Sequence, residues 1–190
     1  MDANKAASCH LSQGDKALST TAAADDTAFM RMALDLAKTA LARGDFPVGC
    51  ILAAQGRVLG SGSRRASGGT DANELDHAEM VALRDYYRHP HRKPSGLSAF
   101  CTMEPCLMCF AALVLAGVDR IVYAYEDVMG GAAGRDRRGL APLYRDHPLT
   151  VVAGVLRPES LSLFKAFFAD PANGYWRDSL LARYTLDQSP

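Results

Sequence analysis

TMEPCLMCF (residues 102–110) joins an apolar run, LSAFCTM (97–103), to a second apolar segment that opens just after a proline. Read outward, it is a strand handing the chain to a buried helix over residues 106–116. Pro105 sits at the helix mouth, where a missing N–H costs nothing. Cys106 and Cys109 are three residues apart at the start of that helix, so both sulfurs point the same way and can reach one ion. By itself a CxxC is equally a pair of buried thiols or half of a structural zinc knuckle. A knuckle needs two further ligands in a matching arrangement, and the chain has no second CxxC. Cys50 and Cys101 lie within apolar strand patterns, which suits small buried hydrophobes, and Cys9 lies beside His10 in a small-residue N-terminal stretch.

DHAEM (76–80) precedes this motif by about one helix and one strand. If the helix expected over residues 77–87 packs beside the helix of Cys106, His77 becomes a third ligand. Three protein ligands with one position open is the arrangement of catalytic zinc. Glu79 then has a use. A bound metal ion acidifies water, but a proton must still be carried to the leaving group, and a carboxylate beside the open position can carry it.

The rest of the chain supplies the layers. Residues 1–25 are small and polar with no apolar period and read as a flexible tail, leaving residues 26–190 as one domain with a C-terminal helical extension. From Thr27, apolar residues recur at helical spacing up to Gly44. Residues 48–53 and 58–61 read as strands around a Gln55-Gly56 turn. DRIVYAY (119–125) and LTVVAGVL (149–156) read as strands, PESLSLFKAFF (158–168) as a helix, and NGYWRDSLLARYTL (173–186) as one C-terminal helix. Strands alternating with helices at this spacing indicate a layered α/β sandwich.

Composition narrows the partners. Lys plus Arg equals Asp plus Glu at 21 each, so no global charge draws the chain to nucleic acid or to a membrane surface. No apolar run approaches the roughly 20 residues of a membrane span, no secretory signal opens the chain, and the odd number of cysteines fits reduced thiols; a cytoplasmic protein is expected. Short basic clusters at 88–93 and 135–138 read more readily as solvated loop surface than as an RNA-binding face.

Taken together, H-A-E at 77–79 and P-C-x-x-C at 105–109 form the zinc deaminase pattern. The chain here resembles the cytidine deaminase superfamily, nearest the branch of tRNA adenosine deaminases, guanine deaminases and related nucleoside deaminases. FPVGCILA (46–53) is similar to that branch's PVGA strand, and EDVMGGAAG (126–134) to its loop after the fourth strand. The resemblance spans residues 29–168. It implies a three-layer α/β/α sandwich around a five-stranded mixed sheet, usually a homodimer. It implies zinc held by His77, Cys106 and Cys109, a zinc-activated hydroxide as nucleophile, and Glu79 as general acid and base. The Ala78 N–H would bind the substrate, Phe46, Pro47, Val48, Pro105 and Phe110 would stand near the base pocket, and Asp127 would border it. Several of these apolar residues serve equally well as plain core.

This chain departs from the family in two places: its C-terminal segment is mixed in charge where RNA-editing members tend to be basic, with Tyr175, Trp176 and Tyr184 able to stack on a base but read more readily as helix packing, and its base-reading asparagine is replaced. The family has an asparagine shortly after its second strand, in a G-x-G-x-N pattern, that reads the base edge; here GSGSRR (60–65) puts Arg64 at that place. An arginine cannot accept a hydrogen bond, so a substrate richer in acceptors or negative charge is expected unless Arg64 is a solvated loop residue, with Asn73 a candidate substitute for the amide. The expected reaction is hydrolytic replacement of an exocyclic amine on a small nucleobase, nucleoside or nucleotide, with purines favoured. The alternative is adenosine-to-inosine conversion in tRNA, and a more distant one is a non-catalytic zinc module.

Overall fold

Alternation builds the sheet. In β1 (Gly49–Ala54), Cys50, Leu52 and Ala54 face one side and Ile51 and Ala53 the other, and all are buried. A strand buried on both faces needs helices over each. Gln55 and Gly56 both take positive φ, 52° and 73°, which is the two-residue hairpin geometry that matches strand twist, so β2 (Arg57–Ser63) returns antiparallel to β1. On the other side of β1 lies β3 (Ser98–Met103), also antiparallel, followed by β4 (Arg120–Tyr125) and β5 (Thr150–Ala153) in parallel. The order β2-β1-β3-β4-β5 is the five-stranded mixed sheet that the resemblance implies. These elements come from a computed structural model that describes residues 24–68, 72–89 and 94–189.

α1 (Ala24–Ala42) covers one face, setting Met30, Ala33 and Leu34 against Ile51, Phe100 and Val122. α5 (Arg157–Ala169) lies beside it and against β3 and β4. α2 (Ala78–Arg88) and α3 (Leu107–Leu115) cover the opposite face, and a short α4 (Pro142–Arg145) precedes β5. α6 (Leu180–Asp187) packs on α5, with Tyr125 Oη 3.0 Å from Thr185 Oγ1. Two glycines of β2 set the height of α2. A Cβ on Gly62 would stand 2.3 Å from the Ala78 carbonyl oxygen, and one on Gly60 would stand 2.6 Å from that of Ala82. The α2 backbone therefore rests directly on β2, with its N-terminus over the end of the sheet where β3 delivers Cys106.

Four elements differ from the sequence reading. α1 starts at Ala24, because Asp26 is buried and bonds both guanidinium nitrogens of Arg120 at 2.7 Å; residues 1–23 of the expected tail, with Cys9 and His10, lie outside the described residues. The strand expected over 149–156 ends at Ala153, and Gly154 (φ 82°) and Leu156 (φ 56°) turn the chain into α5. α4 was not expected. The single helix expected over 173–186 is instead a turn followed by α6: Trp176 takes φ 57°, and the Ser179 side chain accepts the Ala182 N–H as a new N-cap. Among the described residues no helix is long and apolar enough to cross a membrane.

Candidate active site

His77 and Cys106 are the N-cap residues of α2 and α3, and neither side chain caps its own helix. Both side chains are thereby free to face each other. Two helix N-termini aimed at one point give a locally positive field that favours thiolate. Cys109 lies one turn into α3 and is buried. The His77 Nδ1 stands 3.6 Å from the Cys106 Sγ and 3.5 Å from the Cys109 Sγ, and the three ligand atoms lie within 4.8 Å of one another. A tetrahedral zinc ion, with bonds of about 2.3 Å to sulfur and about 2.0 Å to nitrogen, sets nitrogen and sulfur roughly 3.6 Å apart. The residues therefore fit zinc in both donor type and spacing.

The Cys109 S–H bonds to Cys106 and holds it down at about 4 despite burial, with His77 helping, while the same contact and burial push Cys109 up. His77 is raised by its hydrogen bond to Cys106, against the opposing effect of burial. Glu79 is 3% exposed, and burial is the main cause of its raised pKa. A carboxyl in that condition can hold a proton and release it.

His77, Glu79 and Cys106 line a cavity of about 130 Å³, with Cys109 buried and outside the lining. Apolar cavities near 150 Å³ take a benzene-sized ring, so this one matches a planar ring system in scale. Of the residues expected around the base, Phe46, Val48, Arg64, Ala78 and Asp127 line it. Pro47, Pro105 and Phe110 do not: all three are buried, and the Pro105 carbonyl accepts the Ala132 N–H at 2.9 Å. Asp127 shapes its loop, its Oδ1 accepting the N–H groups of Met129 and Gly130, both at 2.9 Å. Glu104, which the sequence reading missed, bonds the backbone of Asp127 and Gly134 and so fastens that loop beside Cys106.

Glu74, also missed, lines the wall together with Tyr175 and Trp176. The Tyr175 ring packs 5.5 Å from that of Phe46, and its hydroxyl donates to Glu74 Oε2 at 2.9 Å. In the sequence these two aromatics read as able to stack on a base, with helix packing the favoured use. The Asn73 amide does not take the missing asparagine's place; its Oδ1 accepts the Leu75 N–H at 2.8 Å in a local turn. Arg64 is not a solvated loop arginine, because it is 2% exposed. In the second basic cluster, Arg135 and Arg137 bond loop carbonyls and Arg138 pairs with Asp136.

Comparison with known proteins agrees with this geometry. Residues 23–125 match the family model described as the cytidine and deoxycytidylate deaminase zinc-binding region. A tRNA-specific adenosine deaminase of Bacillus subtilis is 30% identical over 146 residues, 76% of this chain and 89% of that one. Another, of Agrobacterium fabrum, is 32% identical over 149 residues, 77% and 96% respectively. A solved structure from a study of A-to-I editing by tRNA:A34 deaminases superposes with a TM-score of 0.63 at 29% identity, covering 72% of this chain and 99% of that one. With its sheet, its cysteine pair and its histidine arranged in this way, the chain belongs to the zinc-binding cytidine and deoxycytidylate deaminase family.

Proposed function

We propose that this chain is a zinc-dependent hydrolytic deaminase that replaces an exocyclic amine by oxygen on a nucleobase. His77, Cys106 and Cys109 hold the metal in this reading, and Glu79 moves the proton. The observation that carries it is the spacing of the three ligand atoms, which suits a tetrahedral ion, at a ring-sized cavity lined by His77, Cys106 and the buried carboxyl of Glu79. The chemistry zinc supplies when bound is Lewis acidity, which lowers the pKa of bound water to roughly 7. Glu79 takes up the released proton and delivers it to the departing amine. The Ala78 N–H, in the first turn of α2 where no carbonyl precedes it, is directed to a ring nitrogen or carbonyl of the substrate.

A small molecule is the favoured substrate. Tyr175 and Trp176 stand at the cavity wall, and the described guanidinium groups of the 135–138 cluster are engaged within their own loop. The second reading, adenosine in tRNA, is favoured by the relatives at 30–32% identity, which are tRNA-specific adenosine deaminases. Ammonia release from a panel of purine and pyrimidine bases, nucleosides, nucleotides and a tRNA anticodon stem separates the two. Glu79→Ala is expected to lower turnover by about 10²- to 10⁴-fold while one zinc per chain is retained. Equal turnover in the variant and the parent would sink the catalytic reading in favour of a passive zinc module.

A further inference from the structure

His77 turns its two ring nitrogens to opposite sides. Nδ1 faces the thiols of Cys106 and Cys109, and Nε2 faces Glu74, whose Oε2 stands 3.9 Å away. Among the described residues no hydrogen bond falls on Nε2. Glu74 is itself anchored twice, because its Oε2 accepts from the Arg64 Nη2 at 3.3 Å and from the Tyr175 hydroxyl at 2.9 Å. Arg64 is 2% exposed, its Nη1 donates to the carbonyls of Arg65 (2.7 Å) and Asn73 (2.6 Å), and its guanidinium lies 5.8 Å from the centre of the Tyr175 ring. This buried arginine is a clamp. It fixes the backbone at Asn73 and the carboxylate of Glu74, three residues ahead of the metal-ligating histidine.

A neutral histidine that offers one nitrogen to a metal carries its proton on the other, and a carboxylate that accepts that N–H fixes the tautomer and the direction of the ring. We infer, resting on the zinc site of the deaminase reading above, that Glu74 is a positioning residue: it accepts the His77 Nε2 proton when Nδ1 holds the metal, with Arg64 and Tyr175 keeping the carboxylate at the back of the ring. The 3.9 Å separation exceeds an N–H···O bond by about 1 Å. Glu74 can close it, because its side chain is 61% exposed and its carboxylate has lone pairs beyond the two it now uses. Water competes for the same proton at the partly exposed ring. The carboxylate has the advantage, since a hydrogen bond to an ionised acceptor is roughly twice as strong as a neutral one. The clamp also gives a use to an arginine where the family has an amide, because an asparagine lacks the fork of donors that reaches two carbonyls and a carboxylate at once.

The test uses the full chain, zinc-loaded, with isotopically labelled histidine for nuclear magnetic resonance. In the parent, the ring whose signals move on zinc loading is expected to show an Nε2–H resonance protected from exchange with water. Glu74→Ala should remove that protection while the ion stays bound. Competition with a chelator should show Glu74→Ala holding zinc about 10- to 100-fold more weakly, the range for losing such a partner. A purely structural Glu74 would shift urea unfolding and leave the ring proton untouched. An unprotected Nε2–H in the parent, or zinc affinity equal in parent and Glu74→Ala, would overturn the inference. If Glu74→Ala does not fold, Glu74→Gln takes its place, keeping the shape and removing the charge; it should hold zinc more weakly than the parent, and equal affinity overturns the inference just as well. Ammonia release by the parent from the panel of bases keeps the two claims apart. Zinc binding that depends on Glu74, with no ammonia from any substrate, would sink the deaminase reading and leave the role of Glu74 standing. Ammonia release with zinc affinity and ring proton unchanged in Glu74→Ala would sink that role alone.

Discussion

Glu126 and Arg157 show what one residue pair contributes away from the chemistry. Glu126 ends the run after β4, and its carboxylate receives the Arg157 Nε at 2.8 Å, a second Arg157 nitrogen, and the Tyr184 hydroxyl at 2.7 Å. Burial alone would raise this carboxyl, but the Arg157 and Tyr184 hydrogen bonds outweigh it and hold it below the ordinary carboxylate range. Because the folded value is the lower one, the stabilisation is complete above the unfolded value, roughly 4.3, and is lost as pH falls through the folded value. Glu126→Gln should therefore cost about 1–2 kcal/mol in urea unfolding at pH 7, and the difference from the parent should shrink toward zero in acid. A gap that stays constant with pH would mean that the ionised pair does not carry the effect. The metal-site residues were legible at this scale because each follows from spacing along one helix start. Glu74 was not, since its partner Tyr175 is 101 residues away and no local pattern marks it.

Among the elements, the contact of α2 with β2 decides whether a site exists at all. His77 and Glu79 ride on the first turn of α2, and that turn reaches Cys106 only because Gly60 and Gly62 let the helix backbone sit on the strand. Gly62→Ala puts a methyl 2.3 Å from the Ala78 carbonyl oxygen and 2.4 Å from the Ala82 nitrogen, both backbone atoms that cannot swing away. The expected cost is about 3 kcal/mol, at the upper end for overpacking, together with a measurable loss of zinc affinity as the N-terminus of α2 lifts. Chemical denaturation and competition with a chelator would check both, and an unchanged zinc affinity would show that the contact does not position His77. The sequence displayed these glycines only as part of a family pattern at the end of the second strand. Their reason is a helix that arrives later in the chain. The mistaken C-terminal helix has a similar cause: the apolar spacing of residues 173–186 is helical, but the Phe46 and Tyr175 rings pack 5.5 Å apart and Trp176 turns the backbone into the left-handed region.

For the whole molecule the open matter is α3. Its nine residues, LMCFAALVL, include no charged side chain, yet Leu107 and Leu115 are 62% and 61% exposed, and Tyr87 of α2 extends the same face at 65%. A helix apolar all round is normally covered on all sides. A second copy of the chain is the proposed cover, in keeping with the homodimer that the resemblance implies, and Leu115→Lys should shift the sedimentation of the protein from dimer to monomer. A monomeric parent would remove the proposal. The sequence by itself determined the metal-ligand pattern and the layers. Ligand spacing, the placing of Glu79 two residues after His77 and strand alternation are short-range patterns, and helix and strand geometry turn them directly into directions in space. The tertiary structure alone decided what lines the cavity. A buried arginine is recruited as a clamp, a glutamate is brought to the wall, and two aromatics from the far end of the chain close over it. Those placements are fixed by contacts between segments distant in sequence, where packing rather than local conformational preference sets the position of each side chain.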